Sequence, residues 1–246
     1  LARDPAGEKP LYYATGPNAT AHGDQQAMVF CSTVPGLIKA MRTLGWPIEV
    51  DQLGALLWLK HGYWDRPPLN IRELPPGHCL TFSPAGLSVT PVCLPPRQAS
   101  EQQAGLTIAS VRDLLARTVS GRLEADVPIG RLLSGRVDSS VVSALAHAAM
   151  RTSGQVLKTF TVRMPAGTLD ESVYAATVAA KLGTNHQTLD CSPNAAADLV
   201  RLIGELGLPF GDSSILPTHW VSAAARQFVT VALGGEGGDE LCAGYR

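Results

Sequence analysis

Two short runs of this chain concentrate the residues best able to do chemistry. The first is Leu132-Leu133-Ser134-Gly135-Arg136-Val137-Asp138-Ser139-Ser140, with three hydroxyls, a carboxylate and a glycine directly after an apolar stretch. If it joins a strand to a helix, its backbone N–H groups and hydroxyls converge at a helix N-terminus. Unpaired donors and the helix dipole favour phosphate at such a place. The Walker A spacing of glycines and lysine is missing, and so is the GxGxxG dinucleotide fingerprint. Asp138 offers the hard oxygen donor that a phosphate–magnesium site needs. The plainer alternative is a strand-turn-helix in which Asp138 and the serines only cap the helix.

The second run, Gly234-Gly235-Glu236-Gly237-Gly238-Asp239-Glu240, follows Val229–Leu233. Its four glycines allow a tight backbone, and its carboxylates repel one another unless a cation lies among them. Alone it reads equally well as a surface loop. Both runs leave the carboxyl ends of expected parallel strands, where open α/β sheets bind ligands. The pairing therefore points to a Mg-ATP site.

These runs need elements to position them. From about residue 105, strands and helices alternate. Val111, Leu114, Leu115, Val119 and Leu123 share a helical face, Pro128–Leu133 reads as a strand and Val141–Met150 as a helix. Phe160, Val162 and Met164 alternate as a strand does. Thr168-x-x-Glu171 reads as a capping box before a helix with Tyr174, Val178 and Leu182 in line, stopped by Gly183. Val229–Leu233 is a continuous run of the kind a parallel sheet buries on both faces. This βαβα order predicts a doubly wound parallel sheet.

Residues 1–95 have a different texture, rich in proline, glycine and short strand-like runs. Strands are expected at Leu11–Ala14 and Ala27–Cys31, a short helix over Asp51–Lys60, and a hairpin of Cys79–Phe82 with Leu87–Val92. Pro95–Ser100 reads as a linker. The 246 residues suffice for two modest domains. A formal charge of −1 gives no electrostatic footing for nucleic acid or an anionic membrane, and no apolar run reaches a membrane span. The five scattered cysteines, Cys31, Cys79, Cys93, Cys191 and Cys242, form no CxxC and fit a reducing compartment. The Asn18-Ala19-Thr20 sequon reads as chance. The termini, Leu1-Ala2-Arg3-Asp4 and Tyr245-Arg246, read as those of a piece of a longer protein.

Ser134–Ser140 resembles the SGGxDSS pyrophosphatase loop of glutamine-hydrolysing asparagine synthetases. Further resemblances follow in family order. They are Lys158-Thr159-Phe160-Thr161-Val162, Leu169-Asp170-Glu171-Ser172-x-Tyr174-Ala175, Leu182-Gly183-Thr184-x-His186, Pro209-Phe210-x-Asp212-Ser213-Ser214, and Val229 through Tyr245. Upstream, Ala2-Arg3-Asp4 through Tyr13 and Leu74-Pro75-Pro76-Gly77-His78 resemble the end of the family's glutaminase domain. The resemblance implies an α/β doubly wound sheet of the adenine nucleotide α-hydrolase (PP-loop) type over residues 105–246, truncated at its C-terminus. Residues 1–95 would then be the C-terminal part of an α+β N-terminal-nucleophile glutaminase domain.

The implied reaction joins ATP and aspartate with Mg2+ to give β-aspartyl-AMP, which ammonia from glutamine converts to asparagine. The resemblance assigns Leu132, Ser134, Gly135, Asp138, Ser139, Ser140, Val162, Gly234 and Gly235 to ATP, Asp138 and Asp239 to the metal, and Glu236 to catalysis. It implies a cytoplasmic ligase with small-molecule partners, no nucleic acid or membrane, and room for a homodimer. The family's nucleophilic cysteine and glutamine-binding segment correspond to positions before Leu1, so no glutaminase activity is expected of this piece, and its synthetase activity is expected to be incomplete or absent. Related adenylating enzymes, of β-lactam synthetase or lasso-peptide cyclase type, share both loops. A non-catalytic nucleotide-binding protein is the other alternative.

Arg136 replaces the loop's second glycine. A left-handed backbone there would cost arginine about 1 kcal/mol or more, which predicts a weakened site, set against a charge that could bond phosphate. His61, His78 and His186 have no second ligand at metal spacing and read as structural, with His78 in a turn. Trp46, Trp58 and Trp64 read as core or interface packing. Asp212-Ser213-Ser214 suits either a place near the substrate or plain helix capping.

Overall fold

The computed structural model describes residues 1–17, 26–61, 66–92, 107–163, 170–190, 194–212 and 214–239. In chain order its elements begin with β1 (Tyr12–Pro17), β2 (Gln26–Cys31), α1 (Val34–Thr43), α2 (Gln52–His61), β3 (Arg72–Glu73), β4 (His78–Ser83) and β5 (Gly86–Pro91). Next come α3 (Ile108–Gly121), β6 (Ile129–Leu132), α4 (Val137–Thr152), β7 (Lys158–Arg163), α5 (Ser172–Leu182) and β8 (Asn185–Asp190). The last are α6 (Ala195–Leu206), α7 (Ile215–Ala225) and β9 (Val231–Leu233). The expected linker, the sequon, Trp64, Thr168, Ser213, Cys93, Cys191 and Cys242 lie outside the described residues. Two compact units form, Leu1–Ser100 with Ala195–Ser213, and Glu101–Asn194 with Ser214–Arg246.

In the first unit β1 pairs antiparallel with β2 and β3, and β4 pairs with β5 from His78↔Pro91 to Ser83↔Gly86. Helix α1, which the sequence reading did not single out, carries a proline in its first turn, where the missing N–H costs no helical bond. Its Val34, Leu37 and Met41 form one buried stripe against Ala14, Trp46 and Ile71. Trp46 lies over β1 and donates its Nε1–H to Pro17 O at 3.0 Å. A β-carbon at Gly16 would come within 2.6 Å of that indole, so only glycine fits there. His78 opens β4 and does not sit in a turn; its Nδ1 lies 2.8 Å from Pro76 O.

The second unit holds a four-stranded parallel sheet in the order β8-β7-β6-β9. The chain steps from β6 to β7 to β8, then returns past β6 to lay down β9. The reversal of winding therefore falls between β6 and β9, where open α/β sheets bind ligands. Phe160 and Val162 pack with Leu132, Leu189 and the Ala224–Ala225 end of α7. Leu133 packs instead with Ala175, Val178 and Ala179 of α5. Successive strand residues point to opposite faces, so α5 and α7 cover the two sides of a doubly wound sheet.

Four details differ from the sequence expectations. Tyr174 faces solvent, and small Ala175 and Ala179 turn inward, because the loop after β6 runs too close to α5 for a large side chain. At that helix start Asp170 Oδ1 accepts the Ser172 N–H at 3.0 Å, and Glu171 stands at the N-cap without a side-chain cap. Among the described residues β9 pairs only with β6 and so ends the strand order, and Val231 is exposed. On α3 only Val119 is buried, while Val111, Leu114 and Leu115 are exposed among the described residues. A reciprocal cap between Thr107 and Ser110 starts that helix. Gly183 ends α5 in the left-handed conformation, as expected.

Candidate functional site

Helix α4 begins at Val137, four residues before the sequence expectation, so Asp138, Ser139 and Ser140 form its first turn. The first helical bond comes from Ser140 N–H to Arg136 O at 2.9 Å. The N–H groups of Val137, Asp138 and Ser139 thus lie ahead of the helical ladder, the arrangement that favours an anion. Gly135 makes the turn with φ of +83°, and a β-carbon there would lie 2.6 Å from the backbone of Tyr174. Arg136 is extended, with φ of −76° and ψ of 169°. The expected left-handed cost at Arg136 is therefore absent, because Gly135 alone takes up the turn. Ser134 Oγ and Ser139 Oγ lie 2.8 Å apart; the first accepts the Arg136 N–H at 3.3 Å and the second donates to Arg136 O at 3.1 Å. These bonds hold the loop in shape without an external partner.

The acidic loop leaves β9 beside this turn. A β-carbon at Gly238 would lie 2.6 Å from Asp138 Cγ, and one at Gly235 would lie 3.5 Å from Ser139 N. The missing side chains let the two loops meet. At Gly234 a side chain would overlap the Glu236 carboxylate, which folds back over that residue. The loops line a cleft of about 570 Å³. Of the residues expected at the site, it brings together Leu132, Ser134, Asp138, Ser139, Val162, Gly234, Gly235, Glu236 and Asp239. Gly135 and Ser140 stay outside it. Gly135 packs on α5, and the Ser140 hydroxyl is buried without a hydrogen-bond partner.

Sequence reasoning missed several parts of this cleft. Phe160, Thr218 and Val221 add to its wall, and Glu171 reaches its mouth. There Glu171 pairs with the exposed Arg136 guanidinium, which is held above the usual arginine range by that bond first and by nearby Asp239 as well. Arg131, fully buried under both loops, was also missed; a lone arginine inside an apolar strand was the available signal. Asp212 and Ser214 do not line the cleft. Ser214 stands at the N-cap of α7 without a side-chain cap. His78 and His186 lie elsewhere. Burial pushes His186 below the usual histidine range, and its Nδ1 shares a 2.9 Å hydrogen bond with Thr159.

Among the described residues no cluster of three or more His, Cys, Asp or Glu side chains could hold a metal by itself. Two aspartates at the cleft still suit Mg2+, which commonly takes one or two carboxylates and fills its shell with phosphate oxygens and water. The donor chemistry therefore fits magnesium arriving with a phosphate.

Residues 110–246, more than half of the chain, match the asparagine synthase family. The chain belongs to that family. Across 99% of its length this asparagine synthase family member is 30% identical to glutamine-hydrolysing asparagine synthetase 1 of Bacillus subtilis, spanning 37% of that protein. Over 55% of its length it is 32% identical to the glutamine-hydrolysing asparagine synthetase B of Escherichia coli, spanning 26% of it. The NMN synthetase structure from Francisella tularensis aligns with 57% of the chain, over 59% of its own, at TM-score 0.39 and 19% identity.

Proposed function

We propose that the cleft binds Mg-ATP and activates a carboxylate as an acyl adenylate, aspartate being the substrate and asparagine the product. One observation carries this reading. The pyrophosphatase-type loop and the acidic glycine loop leave neighbouring parallel strands at the reversal of winding and line a single cleft. Ser134, Ser139 and the open N–H groups of the α4 start grip the departing pyrophosphate, with Gly135 and Ser140 shaping the loop around it. Leu132, Val162, Gly234 and Gly235 flank the adenosine. Asp138 and Asp239 hold Mg2+, which when bound offsets charge growing on the phosphates.

An oxygen of the aspartate β-carboxylate attacks the α-phosphorus, and the bond to the bridging oxygen of pyrophosphate breaks. Fixed donors at the helix start stabilise the charge that moves onto the leaving group. Ammonia then attacks the acyl carbon and AMP leaves, with Glu236 placed to take up a proton. Residues 1–95 are read as the C-terminal part of a glutaminase domain, glutamine being the source of ammonia in the whole cytoplasmic protein. The chain incubated with ATP, Mg2+, aspartate and an ammonium salt should form AMP and pyrophosphate in equal amounts, dependent on aspartate. Release of ADP and phosphate, or product formation indifferent to aspartate, contradicts the reading.

A further inference from the structure

Among the described residues Arg131 is the largest of the fully buried side chains, and its guanidinium bonds the backbone at the base of both loops. It is the β6 residue whose register partner is Leu233, the last residue of β9. Its Nη1–H donates to Leu233 O at 2.5 Å, just before the chain enters Gly234-Gly235-Glu236. Its Nη2–H donates to Ser139 O at 3.3 Å, in the first turn of α4. A β-carbon at Gly235 would lie 3.4 Å from Nη2. One guanidinium thus ties the exit of β9 to the start of α4 from below.

Arg131 has no carboxylate within ion-pair distance among the described residues, and its Nε–H is buried without a hydrogen-bond partner. Burial pushes its pKa down to about 10, against a weaker upward pull from Glu236. It is still protonated at neutral pH. A buried cation without a counter-ion is costly, and a packed apolar residue would fill a strand position without that cost. The cost is offset when a polyanion binds above it, where the intervening medium screens little.

We propose that Arg131 is a positioning residue and a buried counter-charge for the polyphosphate of the bound nucleotide, fixing the acidic loop against the helix start and raising anion affinity from beneath. This rests on the nucleotide reading above. The test compares wild type, Arg131→Met and Arg131→Lys by calorimetric titration with Mg-ATP, inorganic tripolyphosphate and adenosine. Arg131→Met should lose roughly tenfold or more in affinity for ATP and tripolyphosphate, and little for uncharged adenosine. Arg131→Lys should restore ATP affinity near neutral pH and lose it as pH rises, because a buried lysine deprotonates in a range where arginine does not. Equal loss of all three ligands would mark Arg131 as a scaffold residue only, and unchanged ATP affinity would remove both roles; either overturns the proposal. Should Arg131→Met fail to fold, the pH profile of Arg131→Lys decides, a flat profile counting against the counter-charge. If the wild-type chain binds neither ATP nor tripolyphosphate, the nucleotide reading falls, and this inference with it.

Discussion

Arg136 stands where the family loop has a second glycine, and the reason it is tolerated lies one residue earlier. Gly135 takes the positive φ, leaving position 136 extended and open to any side chain. The residue types of the loop were readable in the sequence, but the division of labour between neighbours was not, since it depends on where α4 starts. With no conformational cost to relieve, Arg136→Gly removes a rim charge together with its ion pair to Glu171. We expect it to weaken Mg-ATP binding roughly two- to fivefold at low salt, the usual scale of an exposed charge interaction, with the difference vanishing at high salt. Tighter binding by the glycine variant would show that the bulk of arginine obstructs the nucleotide. Arg131 was harder to find, because nothing in a strand pattern says which side chain will lie under a loop contributed a hundred residues later.

Among the elements, the strands and helices around the first loop were legible because their apolar periods are strong and their boundaries carry glycine or capping residues. The faces were less legible. Tyr174 was aligned with Val178 and Leu182 by period alone, yet the inner face belongs to Ala175 and Ala179. Proximity of Gly135 to the α5 backbone selects small residues there, a tertiary constraint that no local pattern expresses. Helices α1, α6 and α7 were not predicted from the sequence, α1 despite a proline in its first turn. The same proximity gives a test. Gly135→Ala adds left-handed strain and a collision with the Tyr174–Ala175 backbone, and should destabilise the chain by about 1–3 kcal/mol. It should also weaken ATP binding through distortion of the loop. A urea midpoint equal to wild type would show that α5 gives way without cost.

At the scale of the whole molecule, the doubly wound sheet was predictable from element order, whereas the edge position of β9 followed only from the pairing. That pairing makes the cleft, because it sets the acidic loop beside the pyrophosphatase-type loop. Stability should also carry a signature of the sheet. His186 on β8 has its pKa lowered by burial from the ordinary 6.5, so the unfolded chain binds its proton more readily than the folded one. Its contribution is complete above about pH 6.5 and is lost as pH falls through the folded value. The Tm of wild type should therefore drop more steeply between about pH 7 and pH 5 than that of His186→Gln. Parallel curves would mean that His186 titrates alike in both states.

The central claim is that the two loops form one magnesium-dependent nucleotide site, and calorimetric titration of ATP with and without Mg2+ tests it most directly. Wild type, Asp138→Asn and Asp239→Asn would be compared, each first shown to unfold at the wild-type temperature. The account predicts that Mg2+ strengthens ATP binding to wild type by roughly tenfold or more, and that each substitution removes most of that gain, since in this proposal each aspartate would supply a metal oxygen. ATP binding that ignores Mg2+, or a magnesium gain that survives in both variants, would contradict it.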